Sequence, residues 1–231
     1  MSSSSIILLQ NANIAINEMV ILRNVNFSLQ SGEFAYLIGK TGSGKTTFLK
    51  TLYADRPLQE GTGIVADFDL TKMHYKNVHL LRRKIGMVFQ DFNLLPDRNV
   101  TDNLKFVLDA TGWKDKFLID SRIEEVLHQV GMQNTGNKMP FELSGGEQQK
   151  IVIARALINH PLLILADEPT GNLDPDTSIE ILNLLVSTAR KNNVAILMAT
   201  HDHRLMDYHA ARIIECKHGR LTDRVPTSSP Y

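Results

Sequence analysis

Short apolar runs, separated by polar and glycine-rich segments, divide the chain into predicted strands. Some runs lack strict alternation of apolar and polar positions, which is typical of strands covered on both faces in a parallel sheet. They are Phe34–Ile38, Ile85–Phe89, Leu162–Ala166 and Val194–Ala199. The first 30 residues alternate instead, as in the string from Val25 to Leu29, and this pattern predicts an antiparallel section with one face in water.

Helical periodicity occupies the segments between these strands. Ser121 and Glu124 form a predicted capping box at the start of an apolar stripe with helical spacing. Asp174 followed by Pro175 predicts a second helix start, with an N-cap and a proline in the first turn. Strands that alternate with helices favour an α/β fold.

The composition narrows the classes of function. The chain has 231 residues, 43% of them hydrophobic, which suits one globular domain with its own core. Lys and Arg total 25, as do Asp and Glu, so the net charge is zero, whereas a dedicated nucleic-acid binder needs a basic excess. The single cysteine, Cys216, excludes an internal disulfide framework and a cysteine-rich zinc site. Its apolar neighbours predict a buried structural thiol.

Targeting and membrane-spanning signals are not apparent in the sequence. No apolar run approaches the ~20 residues that a membrane-spanning helix needs. The residues after Met1 lack the basic start and the apolar stretch of a signal peptide. We therefore expect a cytoplasmic protein that reaches any membrane through a partner.

The segment from Gly39 to Thr46 predicts a phosphate-binding loop. It matches the pattern G-x-x-x-x-G-K-[ST] and lies between a predicted strand and a helix-compatible run. Glycines let backbone N–H groups turn toward phosphate oxygens, and the following helix presents its positive dipole end to the same anion. Lys45 is expected to reach the β- and γ-phosphates, and the Thr46 hydroxyl to coordinate Mg²⁺. A simple glycine-rich turn would not need the full pattern in this setting.

Two acids follow a predicted buried strand. Asp167 and Glu168 come directly after Leu162–Ala166, and parallel sheets bind ligands at the carboxyl ends of their strands. We expect Asp167 to orient Mg²⁺ and Glu168 to polarise the attacking water as general base. Adjacent strand residues point to opposite faces, so a turn at Pro169 is needed to separate these roles. Two solvated acids would be an equal alternative if the phosphate loop were absent.

A second predicted anion site begins at Ser144. Ser144 and Glu147 form a capping box, while Gly145 and Gly146 leave the first N–H groups of the helix uncovered. An ordinary helix cap would not require both glycines. The string Leu-Ser-Gly-Gly-Glu-Gln-Gln that starts at Leu143 resembles the LSGGQ-type signature of ABC-transporter ATPase domains.

Three further positions match motifs of the same family, in the same order along the chain. Gln90 matches the glutamine loop, Asp174 the D-loop and His201 the switch histidine. The resemblance extends from about residue 6 to about residue 220. It implies an α/β P-loop NTPase fold of the ABC-ATPase type, with a RecA-like core, an N-terminal antiparallel β section and a helical subdomain insert.

The resemblance also implies a division of the chain. A single ABC ATPase domain would span residues 1–231, with its core at about 1–90 and 144–220. The helical insert would occupy about 91–143, where the sequence shows helix signals but no convincing strand. Residues 221–231 would form a tail.

Roles in nucleotide and metal binding follow from the resemblance. Gln90 is expected to complete the Mg²⁺ shell together with Thr46 and Asp167. The resemblance therefore implies ATP and Mg²⁺ as cofactors. The expected ATP-binding set is Gly39, Lys40, Thr41, Gly42, Ser43, Gly44, Lys45, Thr46, Thr47, Gln90 and Ile16.

The expected catalytic residues are Glu168, His201 and Lys45. His201 would hydrogen-bond the γ-phosphate and position water with Glu168, and Asp202 would orient the imidazole ring. A lone histidine at a strand end is more often structural, but the order of the motifs favours the catalytic role.

Two copies of the chain are expected to share each ATP. In the family that the chain resembles, the signature of one subunit contacts the γ-phosphate held by the phosphate loop of the other. Ser144, Gly145, Gly146 and Glu147 would then contact ATP in trans, and Asp174 would lie in the D-loop. The resemblance thus implies an ATP-dependent, head-to-tail homodimer.

One position departs from the family pattern. Members usually carry an aromatic residue in the first strand region that stacks on adenine, and this chain has Ile16 there. No Phe, Tyr or Trp occurs among residues 1–26. We expect adenine to rest on Ile16 or on a neighbouring aliphatic or Arg stem. Base selectivity should then be weak, so that GTP competes with ATP.

The strings around Gln90 and from Ala166 to Asp174 resemble one branch of the family, which serves small four-helix permeases with large extracytoplasmic loops. Within that branch the cell-division ATPases are favoured, and the ATPases of lipoprotein-release or macrolide-export transporters are the alternative. The expected partner is an integral membrane permease that controls cell-wall hydrolysis. Apolar residues after Gln90 either form part of a groove for a permease helix or simply pack within the insert: Phe92, Leu94, Leu95 and Pro96.

Overall fold

Two β-sheets and seven α-helices make up residues 5–224, the part of the chain that this computed structural model describes. The strands are β1 (Ser5–Ile16), β2 (Met19–Gln30), β3 (Phe34–Ile38), β4 (Glu60–Val65), β5 (Phe68–Asp69), β6 (Ile85–Phe89), β7 (Leu163–Asp167), β8 (Ala195–Thr200), β9 (Arg212–Lys217) and β10 (Arg220–Arg224). The helices are α1 (Lys45–Leu52), α2 (Val78–Arg82), α3 (Val100–Ala110), α4 (Lys116–Gln129), α5 (Gly145–Leu157), α6 (Pro175–Asn192) and α7 (His203–Tyr208).

The smaller sheet is antiparallel, as the alternating pattern near the N-terminus predicts. Its strand order is β2-β1-β4-β5. A two-residue turn joins β1 to β2, and Asn17 in that turn has a positive φ of 54°, a conformation that asparagine tolerates better than most residues. Ile16 therefore pairs directly with Met19 across the hairpin.

The larger sheet brings the predicted motifs to one edge. Its order is β10-β9-β3-β8-β7-β6, and β9, β3, β8, β7 and β6 run parallel. In the register of this sheet Asp167 lies between Phe89 and Ala199, while Ile38 pairs with Thr200. The loops that follow β3, β6, β7 and β8 consequently meet at the carboxyl ends of the strands, where parallel sheets bind ligands.

Both faces of the larger sheet are covered, which explains the unbroken apolar runs. In β3, Tyr36 and Ile38 belong to a core formed with residues of α3, α4, α5 and α6. Ala35 and Leu37, on the opposite face, belong to a second core formed with β1, β2 and α1. Side chains alternate between faces along a strand, so each side chain of β3 faces one of the two cores. An apolar residue is therefore favoured at every position of this strand.

The strand predictions are confirmed closely. β3 and β6 have the predicted bounds, whereas β7 and β8 each begin and end one residue later than predicted. The predicted helix start at Ser121 is wrong. α4 begins at Lys116, and the Asp115 carboxylate caps it by accepting a hydrogen bond from the Leu118 N–H at 3.1 Å. The earlier start buries Ile119 and leaves Ser121 within the helix.

Residues 91–143 contain α3 and α4, and between β6 and β7 the described chain forms no strand. α5, which follows, packs against β6 as well as against α3, α4 and α6. Because one core joins these helices to the larger sheet, the division into a core and an insert stays a prediction.

The predicted tail begins within a strand. β10 pairs with β9 over residues 220–224, and Arg212 on β9 holds Asp223 through two hydrogen bonds of 2.8 and 3.0 Å. The remaining tail, residues 225–231, lies outside the described part of the chain. Across residues 5–224, no helix combines the length and the apolarity that crossing a membrane requires.

Candidate active site

The phosphate loop joins β3 to α1 through a conformation that glycine permits. Gly44 has a φ of 108°, and a Cβ placed on it would lie 2.8 Å from Ile21 Cγ2. Backbone strain and lack of space therefore both exclude a side chain at this position. α1 begins at the next residue and has no side-chain cap. Its first N–H groups are left for an anion.

Lys45 is the buried cation of this loop. Only 8% of the residue is exposed, and its Nζ donates to the carbonyl oxygens of Gly39 at 2.8 Å and Lys40 at 3.4 Å. The same Nζ lies 3.8 Å from Glu168 Oε1. A buried ammonium needs such partners. Phosphate oxygens would offer it stronger, charged acceptors than the two carbonyls do.

Glu168 turns out of the sheet by its own backbone conformation. Its φ is 50°, and its N–H donates to Ala199 O at 2.9 Å, which ties the end of β7 to β8. The turn expected at Pro169 thus occurs one residue earlier. Asp167 and Glu168 nevertheless line the same cleft. A non-glycine residue in the left-handed region is uncommon, and such strain often accompanies a functional site.

His201 is positioned by Glu168. Its Nδ1 lies 2.9 Å from Glu168 Oε2, and its backbone N–H donates to the same oxygen at 3.3 Å. The structure corrects the role expected for Asp202, because that carboxylate holds the Arg204 guanidinium at 2.7 and 2.9 Å. Asp202 also caps α7, and the hydrogen bond from Arg204 keeps its pKa below the ordinary value.

Three oxygen-bearing side chains form a set that fits Mg²⁺. Asp167 is partly buried, which raises the pKa of its carboxyl group, while a hydrogen bond with Thr46 acts in the opposite sense. Thr46, Asp167 and Gln90 all line one cleft. No group of three or more His, Cys, Asp or Glu within residues 5–224 could hold a metal by itself. Mg²⁺ needs few protein ligands when phosphates and waters complete its octahedron, so the donors present fit this ion.

Asn172 fixes the glutamine loop, although the sequence analysis did not single it out. Gln90 Nε2 donates to Asn172 Oδ1 at 3.2 Å, and Asn172 Nδ2 donates to the Gln90 carbonyl at 3.2 Å. This pairing engages the amide nitrogen of Gln90 and leaves its amide oxygen for a cation. The only sequence signal was that Asn172 lies between the two acids and Asp174.

Arg155 makes a second unpredicted connection to the glutamine loop. It lies on α5, the helix that begins at the signature, and donates to Phe92 O at 3.0 Å and to Asn93 O at 2.5 Å. Phe92 and Leu94 pack against the core, so the packing interpretation holds for these two residues. The loop after Gln90 and the signature helix are therefore linked directly.

A cleft of about 400 Å³ brings the predicted residues together. It is lined by Ile16, Ile21, Thr41, Gly42, Gly44, Lys45, Thr46, Thr47, Gln90, Asp167, Glu168 and His201. The lining does not include the other loop residues predicted to bind ATP, which are Gly39, Lys40 and Ser43. Ile21 was not predicted, and it reaches the cleft because the hairpin places β2 beside β1.

Cys216 supports the phosphate loop from behind. Its side chain is buried, as predicted, and its thiol donates to the Ser43 carbonyl at 2.9 Å. Burial raises the pKa of the thiol, so it stays protonated and able to donate.

The signature lines a different cleft, of about 290 Å³, that shares no lining residue with the first. Ser144 Oγ accepts from the Glu147 N–H at 3.3 Å, and the Glu147 carboxylate accepts from the Ser144 N–H at 2.8 Å. This confirms the predicted capping box, and the hydrogen bond from Ser144 lowers the pKa of Glu147. Within one chain, the structure does not bring the signature to the phosphate loop.

Packing explains one signature glycine. A Cβ on Gly146 would lie 2.6 Å from Thr177 Cγ2, whereas one on Gly145 would meet nothing closer than 3.4 Å. Gly146 thus permits α6 to approach α5. Asp174, in the predicted D-loop, caps α6 by accepting from the Thr177 N–H at 3.0 Å. A hydrogen bond with the Thr177 side chain, together with this backbone contact, lowers the pKa of Asp174.

Comparison with known proteins decides the family. The sequence profile described as "ABC transporter" matches residues 22–171. The chain belongs to the ABC transporter family. It is 45% identical over 205 residues to the cell division ATP-binding protein FtsE of Streptococcus pneumoniae strain D39, an alignment that covers 89% of this chain and 88% of that protein. With FtsE of Mycobacterium tuberculosis strain H37Rv it shares 46% identity over 200 residues, covering 87% and 86%.

A solved structure shows the same fold. The dimeric, post-hydrolysis state of the ATP-binding cassette MJ0796, bound to ADP and Pi, is 32% identical, with a TM-score of 0.81. The match covers 94% of this chain and 97% of that one. The predicted ABC-ATPase fold is therefore confirmed, and the chain is an FtsE-like, ATP-hydrolysing subunit of the ABC type.

Proposed function

We propose that this chain is the ATPase of a cell-division complex in the membrane, where two copies close on two Mg-ATP molecules and drive an FtsX-like permease that controls cell-wall hydrolysis. One observation carries the proposal. A single chain has a phosphate-loop cleft with the groups for hydrolysis and a separate signature cleft. Its FtsE relatives favour the cell-division role over lipoprotein release or macrolide export.

Hydrolysis would follow from the groups around Glu168. The carboxylate, held 2.9 Å from His201 Nδ1, would accept a proton from the attacking water, and His201 would align that water with the γ-phosphate. Lys45 would leave the loop carbonyls and stabilise the charge that develops on the phosphate. Thr46, Gln90 and Asp167 would hold Mg²⁺, which supplies further charge neutralisation when bound.

The signature cleft would act on the nucleotide of the second copy. At the first turn of α5, Ser144 is exposed and Gly145 and Gly146 are half-buried, and the Ser144 hydroxyl and the N–H groups of the two glycines would form an anion site. Each ATP would then lie between the phosphate loop of one protomer and the signature of its partner. The dimeric state of MJ0796, bound to ADP and Pi, supports the pairing of two copies.

A groove of about 520 Å³ between β6, α3 and α5 is the surface we assign to the permease. Its apolar lining residues include Met87, Phe89 and Val107, and its arginines are Arg82, Arg83 and Arg155. An amphipathic helix with acidic residues would complement this surface. None of the residues that the sequence offered for such a groove lines it, namely Phe92, Leu94, Leu95 and Pro96. The protein would thus lie in the cytoplasm, on the inner face of the membrane.

Arg83 offers a test of the groove. Arg83→Glu should reduce co-purification of the permease while leaving the ATPase activity of the free chain intact. Lys191→Glu, an exposed charge reversal at the end of α6, is the matched control. Equal recovery of the permease with both variants would contradict the assignment.

Lys45→Ala tests the nucleotide site. The variant should lose ATP binding, measured by titration calorimetry, whereas Lys114→Ala should bind normally. In a Glu168→Gln protein, ATP should convert monomers to dimers in analytical ultracentrifugation. A Glu168→Gln protein that stays monomeric at high concentration with ATP, with and without the permease, would overturn the dimer proposal.

A further inference from the structure

The base end of the nucleotide cleft lacks an aromatic surface. Ile16 and Ile21 line the cleft where the base is expected, and within residues 5–224 the lining contains no Phe, Tyr or Trp. Ile16 is 36% exposed at the end of β1, beside the turn to β2. An adenine seated here would contact aliphatic side chains on one face, and its other face would be open to water.

An exposed phenylalanine stands directly before the signature. Phe141 is 78% exposed in a short 3-10 turn, Pro140–Glu142. The turn is fixed, because the Met139 N–H donates to Glu142 Oε2 at 2.7 Å and the Glu142 N–H donates to Met139 O at 3.0 Å. Exposure of one phenylalanine is ordinary in itself. Phe141, however, lies three residues before Ser144 in an ordered turn, so it would lie near any nucleotide that the signature contacts.

We propose that Phe141 of one copy stacks on the open face of the base bound by the partner copy, and so supplies the aromatic contact that Ile16 does not. The inference rests on the proposed head-to-tail dimer. Three residues span at most roughly 10 Å of chain. This is comparable to the separation of the terminal phosphate from the base in an extended nucleoside triphosphate. With Ser144 at the γ-phosphate, Phe141 therefore comes within reach of the base.

The proposal predicts an effect on dimer closure and none on the monomer. Ile16 and the phosphate loop bind the nucleotide first, within one chain. Phe141 of the second copy contacts the base only when the dimer forms. Stacking contacts are not specific for one purine, so Phe141 should serve ATP and GTP alike. Its contribution should appear as a lower nucleotide concentration for dimerisation.

The experiment uses the full chain carrying Glu168→Gln. Phe141→Ala in this protein should raise the ATP concentration for half-maximal dimerisation about 2–10-fold, the range that an aromatic pair supplies. Phe141→Tyr should restore it. Phe117→Ala is the matched control, since Phe117 is 79% exposed at the start of α4. ATP affinity of the monomer, measured at low protein concentration, should be the same in all four proteins.

A second readout reports the base itself. 2-Aminopurine riboside triphosphate loses fluorescence when its base is stacked, so dimerisation should quench it in the parent and less in Phe141→Ala. An unchanged dimerisation midpoint, equal effects of Phe117→Ala, or an altered monomer affinity would each overturn the proposal. If the Glu168→Gln parent itself never dimerises, the proposed function fails first, and Phe141 has no partner to reach.

Discussion

The two clefts use the same physical device in opposite ways. Both are built at a helix N-terminus, but α1 has no side-chain cap, whereas Ser144 and Glu147 cap α5. An uncapped start, with buried Lys45 beside it, leaves N–H groups that an anion can satisfy. A capped start is already stabilised by its own side chains, so it is stable before an anion binds. This difference suits the proposed function, in which the first cleft holds the nucleotide of its own chain and the second contacts the nucleotide of the partner copy.

Glu168→Gln should separate chemistry from binding. The amide cannot accept a proton from water, so turnover should fall about 10²–10⁴-fold while ATP binding persists. Steady-state phosphate release and a binding titration measure the two quantities. Glu124→Gln, an exposed residue on α4, serves as the control. Turnover equal to that of the unmodified chain would refute the general-base role.

Ser144→Ala should damage only the second cleft. Loss of a hydrogen bond to a charged phosphate, about 1.5–3 kcal/mol, should weaken ATP-driven dimerisation roughly 10–100-fold. Loss of the cap should also cost about 1 kcal/mol of stability. Ser121→Ala, within α4, should do neither. If Ser144→Ala lowered ATP affinity of the monomer, the contrast between the clefts would be wrong.

Ile16→Tyr should strengthen the first cleft directly. An aromatic ring beside the base should tighten ATP binding by about 0.5–1.5 kcal/mol, or roughly 2–10-fold. Competition between ATP and GTP measures the accompanying base selectivity. If ATP already excludes GTP by orders of magnitude in the unmodified chain, the expectation of weak selectivity fails.

Asp167→Asn should have the smallest effect of these changes. In the nucleotide-free protein it should alter thermal stability, and the direction of that change is informative. Burial raises the pKa of Asp167, so its ionised form is disfavoured by folding, and the carboxylate lowers stability as pH rises above its ordinary pKa. At pH 7 the variant should therefore melt at a higher temperature than the unmodified chain. The difference should shrink toward pH 4. With Mg-ATP the order should reverse, because the Mg²⁺ ligand is lost.

Much of both clefts could be predicted from the chain. The phosphate loop, β3 and the Ser144 and Asp174 caps depend on neighbouring residues, and local patterns encode such features well. The failures have a common cause. Ser121 satisfies the capping pattern, yet burial of Ile119 extends α4 past it. Asn172 and Gln90 are 82 positions apart, and no local pattern reports a hydrogen bond over that distance.

The sequence by itself determined which groups are present: a loop that cradles phosphate, two acids after a buried strand, a glycine-rich capped helix and an aliphatic residue where adenine is expected. Only the tertiary structure decided how they meet. Strand register sets Asp167 beside Phe89 and Ala199, and a left-handed backbone at Glu168 turns its carboxylate toward His201. The tertiary structure also places the signature in a different cleft from the phosphate loop of the same chain. Register and separation depend on packing across the whole sheet, which no short stretch of residues encodes.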